Sequence, residues 1–347
     1  MSTEATEEIN TIPEDARRRI SWYRSPLDKA ELRALYVRSD LLGFLQGGGH
    51  LALLALTGSA AWVALGRVPF PVVLLILFAH GTFYAFLLNG FHELCHNTVF
   101  KTKALNTFFL RLFSLLGWHS YPLFQASHAK HHQYTLHPPD DGEVVLPIKL
   151  TRKGFWQGAI VNPGGVQWAL KMHLRFAMGR LEGEWENMIF PESAPERRQR
   201  LFTWSRVTLA VHGSVLLVSI VMKWWLLPVL VTLAPFYGGW LQFLCNNTQH
   251  MGLTDNTADY RLCCRTVILH PFVRFLYWHM NYHTEHHMYA AVPCYRLGKL
   301  HKLIRWDLPH CRRGLIKAWR EIAAILEEQE ADSTYQFVPE LPRSRKA

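Results

Sequence analysis

Four histidines crowd the stretch from Trp278 to Met288, and three of them, His283, His286 and His287, form an H-x-x-H-H pattern. On a helix, residues three and four apart share a face, so His283 can converge with His286 or His287 on one point. Imidazole nitrogens that converge are the usual means of holding a metal ion. The same pattern occurs at His128, His131 and His132, whereas a chain with 19 histidines in 347 residues would carry about 0.06 such patterns by chance. His92 and His96 add an i, i+4 pair within FHELCHN. Neutral imidazole suits iron, zinc, copper or nickel, and eight clustered histidines exceed what one four-coordinate ion can use. Two ions are therefore expected.

The elements that must position these boxes are long and apolar. Only 18% of the residues are charged, below the roughly 25% of ordinary soluble domains, as expected where much of the surface faces lipid. Nearly charge-free runs at 41–65 and 71–91, joined by a short GRVPF link, predict a membrane-crossing helical hairpin. A second hairpin is predicted over 207–225 and 226–245. The run 104–118, interrupted by Arg111, is too short to span and reads as a re-entrant or interfacial helix. Residues 138–206 read as a long polar region. The expectation is thus an all-α integral membrane protein, with four transmembrane helices in two hairpins carrying a cytosolic, histidine-rich helical cap. Its parts are an N-terminal segment over 1–40, with an interfacial helix possible around Trp22, Tyr23, Leu32, Leu35 and Tyr36, a membrane domain over 41–310 and a C-terminal segment over 311–347.

Charge supports this arrangement. The net charge of +10 is not gathered into a nucleic-acid-binding stripe. Of 37 Lys and Arg, 35 lie before, between or after the two hairpins, and only Arg67 and Lys223 fall in the hairpin turns. That asymmetry places both termini and all three boxes on the cytosolic side. Six cysteines without C-x-x-C spacing read as reduced thiols, and the N-terminus has no apolar core of a signal peptide.

With HELCH, HAKHH and HTEHH on one face of two apolar hairpins, residues 40–310 resemble the membrane fatty-acid desaturase superfamily of di-iron enzymes. The resemblance draws attention to NNTQH, where His250 follows Asn246 by four residues. It implies nine iron ligands, His92, His96, His128, His131, His132, His250, His283, His286 and His287, with Asn246 reaching one iron through water. It also implies a lipid or fatty-acyl substrate, and O2 as co-substrate. The H-x-x-x-H spacing of the first box is one residue shorter than that of many acyl-CoA desaturases and leaves the substrate's carrier open. Glu93, Asp140, Asp141, Asn281 and Glu285 lie beside the boxes as candidate acceptors for the outer imidazole N–H groups.

A hydroxylase on the same di-iron scaffold is the alternative, because both reactions begin by removing a hydrogen from carbon. HELCH also spells the zinc-peptidase motif, with Glu93 as base, but that reading leaves two boxes without a role. A metal transporter would need ligands inside the spans, where only His50, His80 and His212 fall, singly. His279, His119 and His137, near the boxes, are expected to pack or hydrogen-bond rather than to ligate. The chain carries no haem-binding His-Pro-Gly-Gly and no G-x-G-x-x-G, so a separate electron donor, a cytochrome b5 or a ferredoxin with its reductase, is expected.

Overall fold

The computed structural model describes residues 19–148 and 150–342. Residues 1–18 and 343–347 of the two expected terminal segments lie outside the described residues. Among the described residues, three helices are long and apolar enough to cross a membrane: Asp40–Ala64, Phe70–Cys95 and Pro195–Met222. Their windows are only 28, 39 and 22% buried. Leu56, Leu74, Leu75, Leu217, Ile220 and Val221 point outward, an arrangement that water would penalise and lipid favours. The first two pack as the expected hairpin. The second helix runs on to Cys95, so the first histidine box rides on its last turns rather than on a following loop. The third starts at Pro195, a dozen residues before the expected span, because a polar, proline-capped first section continues into the apolar one.

The fourth expected span is not a continuous helix. Residues 226–245 form the short helix Leu226–Leu230, a turn Ala234–Phe236, and the beginning of the helix Trp240–Asn246. Pro228, Pro235 and the Gly238–Gly239 pair interrupt a run that is apolar throughout, and hydropathy does not register such breaks. Side chains satisfy the freed carbonyls. Val229 O accepts from Tyr237 Oη at 3.1 Å, Leu230 O pairs with His80 Nε2 at 3.0 Å, and Val231 O accepts from Tyr84 Oη at 3.2 Å. Thr232 O accepts from Trp118 Nε1 at 2.9 Å. An irregular backbone inside a membrane persists only if its polar groups are met within the protein.

The remaining helices carry or flank the histidine boxes. Lys103–Leu116 packs against the first box's helix, and Tyr121–Tyr134 carries the second box. The polar region is not featureless, since it contains Arg152–Ala159, Pro163–Ala177 and Gly183–Ile189. The third box is the six-residue helix His283–Met288, buried along its whole length. A two-residue parallel pairing, Val267–Ile268 with Arg312–Arg313, ties the strand leading to that box to the C-terminal helix Leu315–Ala331. The described N-terminal residues pack on the body rather than standing apart. Trp22 stacks on Tyr260 at 4.1 Å, Leu35 is fully buried, and the short helix Lys29–Leu35 is capped by Asp28. All six cysteines are free thiols.

Candidate metal centre

The nine histidines come together as two clusters. His92, His96, His128, His132 and His286 form one, and His131, His250, His283 and His287 the other, with the candidate ligand atoms of each cluster within 4.8 Å of one another. Both H-x-x-H-H boxes divide in the same way. The first and last histidines, a full turn apart, meet through Nε2: His128 with His132 at 3.0 Å and His283 with His287 at 3.1 Å. The middle histidine, His131 or His286, points to the other cluster. Of the two partners open to His283 in the sequence, the helix selects His287, because four residues return closer to the starting direction than three on its inward face.

Each cluster is closed by a histidine from another part of the chain. His286 Nε2 approaches His132 Nε2 at 3.1 Å within the first, and His250 Nε2 approaches His283 Nε2 at 2.8 Å within the second. The rings of His132 and His287, one from each cluster, stack at 4.4 Å. His96 Nε2 is buried with no hydrogen-bond partner among the described residues. Lone pairs crowded this closely, with donors absent between them, fit a cation at the centre of each cluster.

What fixes the rings lies behind them. His128 Nδ1 bonds Glu143 Oε1 at 2.7 Å, His131 Nδ1 bonds Asp141 Oδ2 at 2.8 Å, and His250 Nδ1 donates to the carbonyl of Cys263 at 2.7 Å. His287 Nδ1 meets Thr135 Oγ1 at 3.2 Å, and His92 Nδ1 meets Glu93 Oε1 at 3.2 Å. His286 Nδ1 lies 3.3 Å from the same Glu93 oxygen, at ion-pair distance but outside hydrogen-bond alignment. With Nδ1 committed as donor, His92, His128, His131, His250 and His287 each keep the Nε2 lone pair free. Burial, then neighbouring imidazoles, lower His96 to about 4 and His250 to about 3, and push His128, His132, His283, His286 and His287 well below the ordinary range. His131 differs. Burial opposes its charged form, but the Asp141 hydrogen bond and charge prevail and raise it, which makes its Nε2 the most basic of the set.

Of the acceptors expected from sequence, Glu93 and Asp141 serve box histidines. Glu285 turns away to His301 Nδ1 and Thr266 Oγ1, and Asn281 Nδ2 donates to Val267 O at 2.9 Å, so both brace the third box from outside. Asp140 is half-buried beside Asp141. Glu143, Thr135 and Arg265 were not legible as site residues. The acidic run D-D-G-E after the second box was the one available signal for Glu143. Arg265 Nη1 donates to Thr248 O at 2.8 Å and Met251 O at 3.0 Å, on either side of His250, and so pins the turn that presents it. Asn246 faces Asn89, whose Nδ2 lies 3.5 Å from its Oδ1. His119 stacks on Phe91 at 4.8 Å and His137 Nδ1 meets Thr135 O at 2.9 Å, while His279 joins neither cluster.

No curated protein matches the chain. The pattern of the family described as Fatty acid desaturase matches residues 67–318, a stretch that holds all three histidine boxes and His250. With that match over most of its length, and with the histidines of those boxes gathered into two metal-competent clusters, the chain belongs to the fatty acid desaturase family.

Proposed function

We propose that the chain is a membrane di-iron oxidoreductase that uses O2 and two electrons from outside to desaturate a fatty-acyl chain. The observation that carries this reading is the division of nine histidines, seven buried and His96 and His132 half-buried, into clusters of five and four, with no thiolate or carboxylate among the donors. Five donors exceed the tetrahedral set of a structural or catalytic zinc, and all-imidazole donors suit iron. Two iron ions, when bound, would supply the activation of O2 that breaking an unactivated C–H bond demands. The chain's own part is to hold them. His92, His96, His128, His132 and His286 would ligate one, and His131, His250, His283 and His287 the other, with Asn246 contributing through water.

Glu143, Asp141, Thr135 and the Cys263 carbonyl keep the outer ring protons in place, and burial keeps bulk water away. The zinc-peptidase reading loses support here. Glu93 is only 1% exposed and lies against the outer nitrogens of His92 and His286, behind the rings rather than before the metal. A cavity of about 270 Å3, walled by Tyr84, Leu88, Trp118, Trp168, Phe236 and Phe243, ends one helical turn from His92 and is the proposed place of the hydrocarbon chain. The electrons come from a cytochrome b5 or a ferredoxin with its reductase, docking on the basic face, which is taken as cytosolic with both termini.

Product analysis by mass spectrometry, after expression in a host of defined fatty acids, tests this directly. Lipids lighter by two hydrogens establish desaturation, and lipids heavier by one oxygen establish the hydroxylase instead. Purified protein should hold about two irons per chain and stay inert with NADPH until a donor system is added. Stoichiometric zinc with activity that survives iron chelation would overturn the proposal.

A further inference from the structure

Residues 154–170 contain no charged side chain, although they lie inside a region whose prolines, glycines and flanking charges read as polar. They include the end of the helix Arg152–Ala159, a turn, and the beginning of the helix Pro163–Ala177. Large apolar side chains on this hairpin face outward: Trp156 is 61% exposed, Val161 59% and Trp168 63%. Its tip is bonded to the broken stretch near residue 236. Asn162 N donates to Phe236 O at 2.7 Å, Gly238 N donates to Ile160 O at 2.9 Å, and Val161 pairs with Tyr237.

The depth of that tip follows from the second long helix. A Cβ on Gly238, where φ is +69°, would lie 2.7 Å from Phe78 O and from Thr82 N, and a Cβ on Gly81 would lie 2.4 Å from Tyr237 O. The two backbones touch around residues 78–82, which are eight to twelve residues in from the Phe70 end. At about 1.5 Å per residue the contact sits roughly 12–18 Å deep, near the middle of a hydrocarbon core about 30 Å thick.

We propose that residues 152–177 form a re-entrant hairpin immersed in the bilayer to about its middle, with lipid acyl chains covering its outer face, and that its tip seals the broken fourth crossing. The charges agree with this placement. Counted back from the tip, Lys171 lies about 13 Å up, at headgroup level, and Arg175 about 20 Å up, in the cap. There Arg175 forms a paired bridge with Glu186. The returning helix packs along Pro195–Met222, with His173 Nδ1 3.2 Å from Ser205 Oγ and Arg206 Nε donating to Ala177 O at 2.9 Å. Its apolar face therefore continues the outward face of a crossing helix. In hydrocarbon, Phe236 O and the Gly238 N–H would be costly without partners, and the hairpin supplies both.

The test needs neither metal nor turnover, so its result is separable from that of the desaturase reading. The full chain is placed in nanodiscs of phosphatidylcholine, and Val161→Cys, Leu217→Cys and Glu328→Cys are labelled with a membrane-impermeant maleimide, against the wild-type background of native thiols. Val161 is more than half free of protein cover, so only lipid can shield a cysteine there. Val161→Cys should react as slowly as the crossing-helix control Leu217→Cys, on the order of tenfold slower than Glu328→Cys. Phosphatidylcholine carrying a diazirine at mid-chain should also leave adducts within 154–170. Labelling of Val161→Cys at the rate of Glu328→Cys, or adducts confined to the three long helices, would overturn the proposal.

Discussion

The clustered histidines and the single histidines inside the long helices, His50, His80 and His212, are nearly all buried, yet they are used in opposite ways. His80 spends both ring nitrogens on the protein, Nδ1 with Thr57 Oγ1 at 2.8 Å and Nε2 with Leu230 O. His212 does the same with Thr232 Oγ1 at 3.2 Å and Leu115 O at 2.9 Å, and His50 with Trp278 Nε1 at 3.0 Å and Phe83 O at 2.9 Å. In the two clusters, His92, His128, His131, His250 and His287 are held from behind through Nδ1, and their other nitrogen turns toward more imidazoles. A histidine satisfied twice is a fastener between helices, and one satisfied once offers a lone pair. Burial alone does not distinguish them.

Substitutions sharpen this contrast. The largest effect is expected at the ligands. His286→Ala or His131→Ala should abolish product formation and lower iron content while membrane insertion persists, and His173→Ala, outside both clusters, should stay active. Equal behaviour of His286→Ala and His173→Ala would dissolve the distinction. Next comes Glu143→Gln, which keeps the shape but weakens the hold on His128 Nδ1; metal affinity measured by competition with a chelator should fall about 10- to 100-fold. His80→Leu should leave iron content unchanged yet destabilise the fold by about 1–3 kcal/mol, because Leu230 O loses its partner. Thermal unfolding in detergent would show it.

The smallest effect concerns pH. Burial holds His119 and His173 neutral down to about 4, whereas the unfolded chain takes up these protons near pH 6.5. Both folded values are depressed, so the two residues cost nothing above about 6.5 and subtract stability as pH falls from there toward 4. His173→Gln should therefore lose about 1 kcal/mol less than wild type between pH 7 and 5.5, read from paired unfolding curves.

Much of the site was legible because ligand chemistry is written in side-chain type and local spacing. All three boxes could be found from their spacing, and His250 from the resemblance that NNTQH completed. What spacing could not give was the sorting, since both His286 and His287 suit His283 until the helix's surroundings choose between them. Glu143 and Arg265 act across 15 residues or on backbone carbonyls, relations that no local pattern records. The first hairpin and the third long helix followed from hydropathy. The stretch 226–245 did not, because hydropathy reports the transfer of side chains and is silent on whether prolines and glycines let the backbone close its own hydrogen bonds.

The shared boxes couple the two sites mechanically. Because Tyr121–Tyr134 and His283–Met288 each give residues to both clusters, neither helix can shift to suit one ion without disturbing the other. Loading should then be cooperative: the first ion freezes both helices in the geometry that the second requires, and a half-filled protein is the least populated state on the way to the full one.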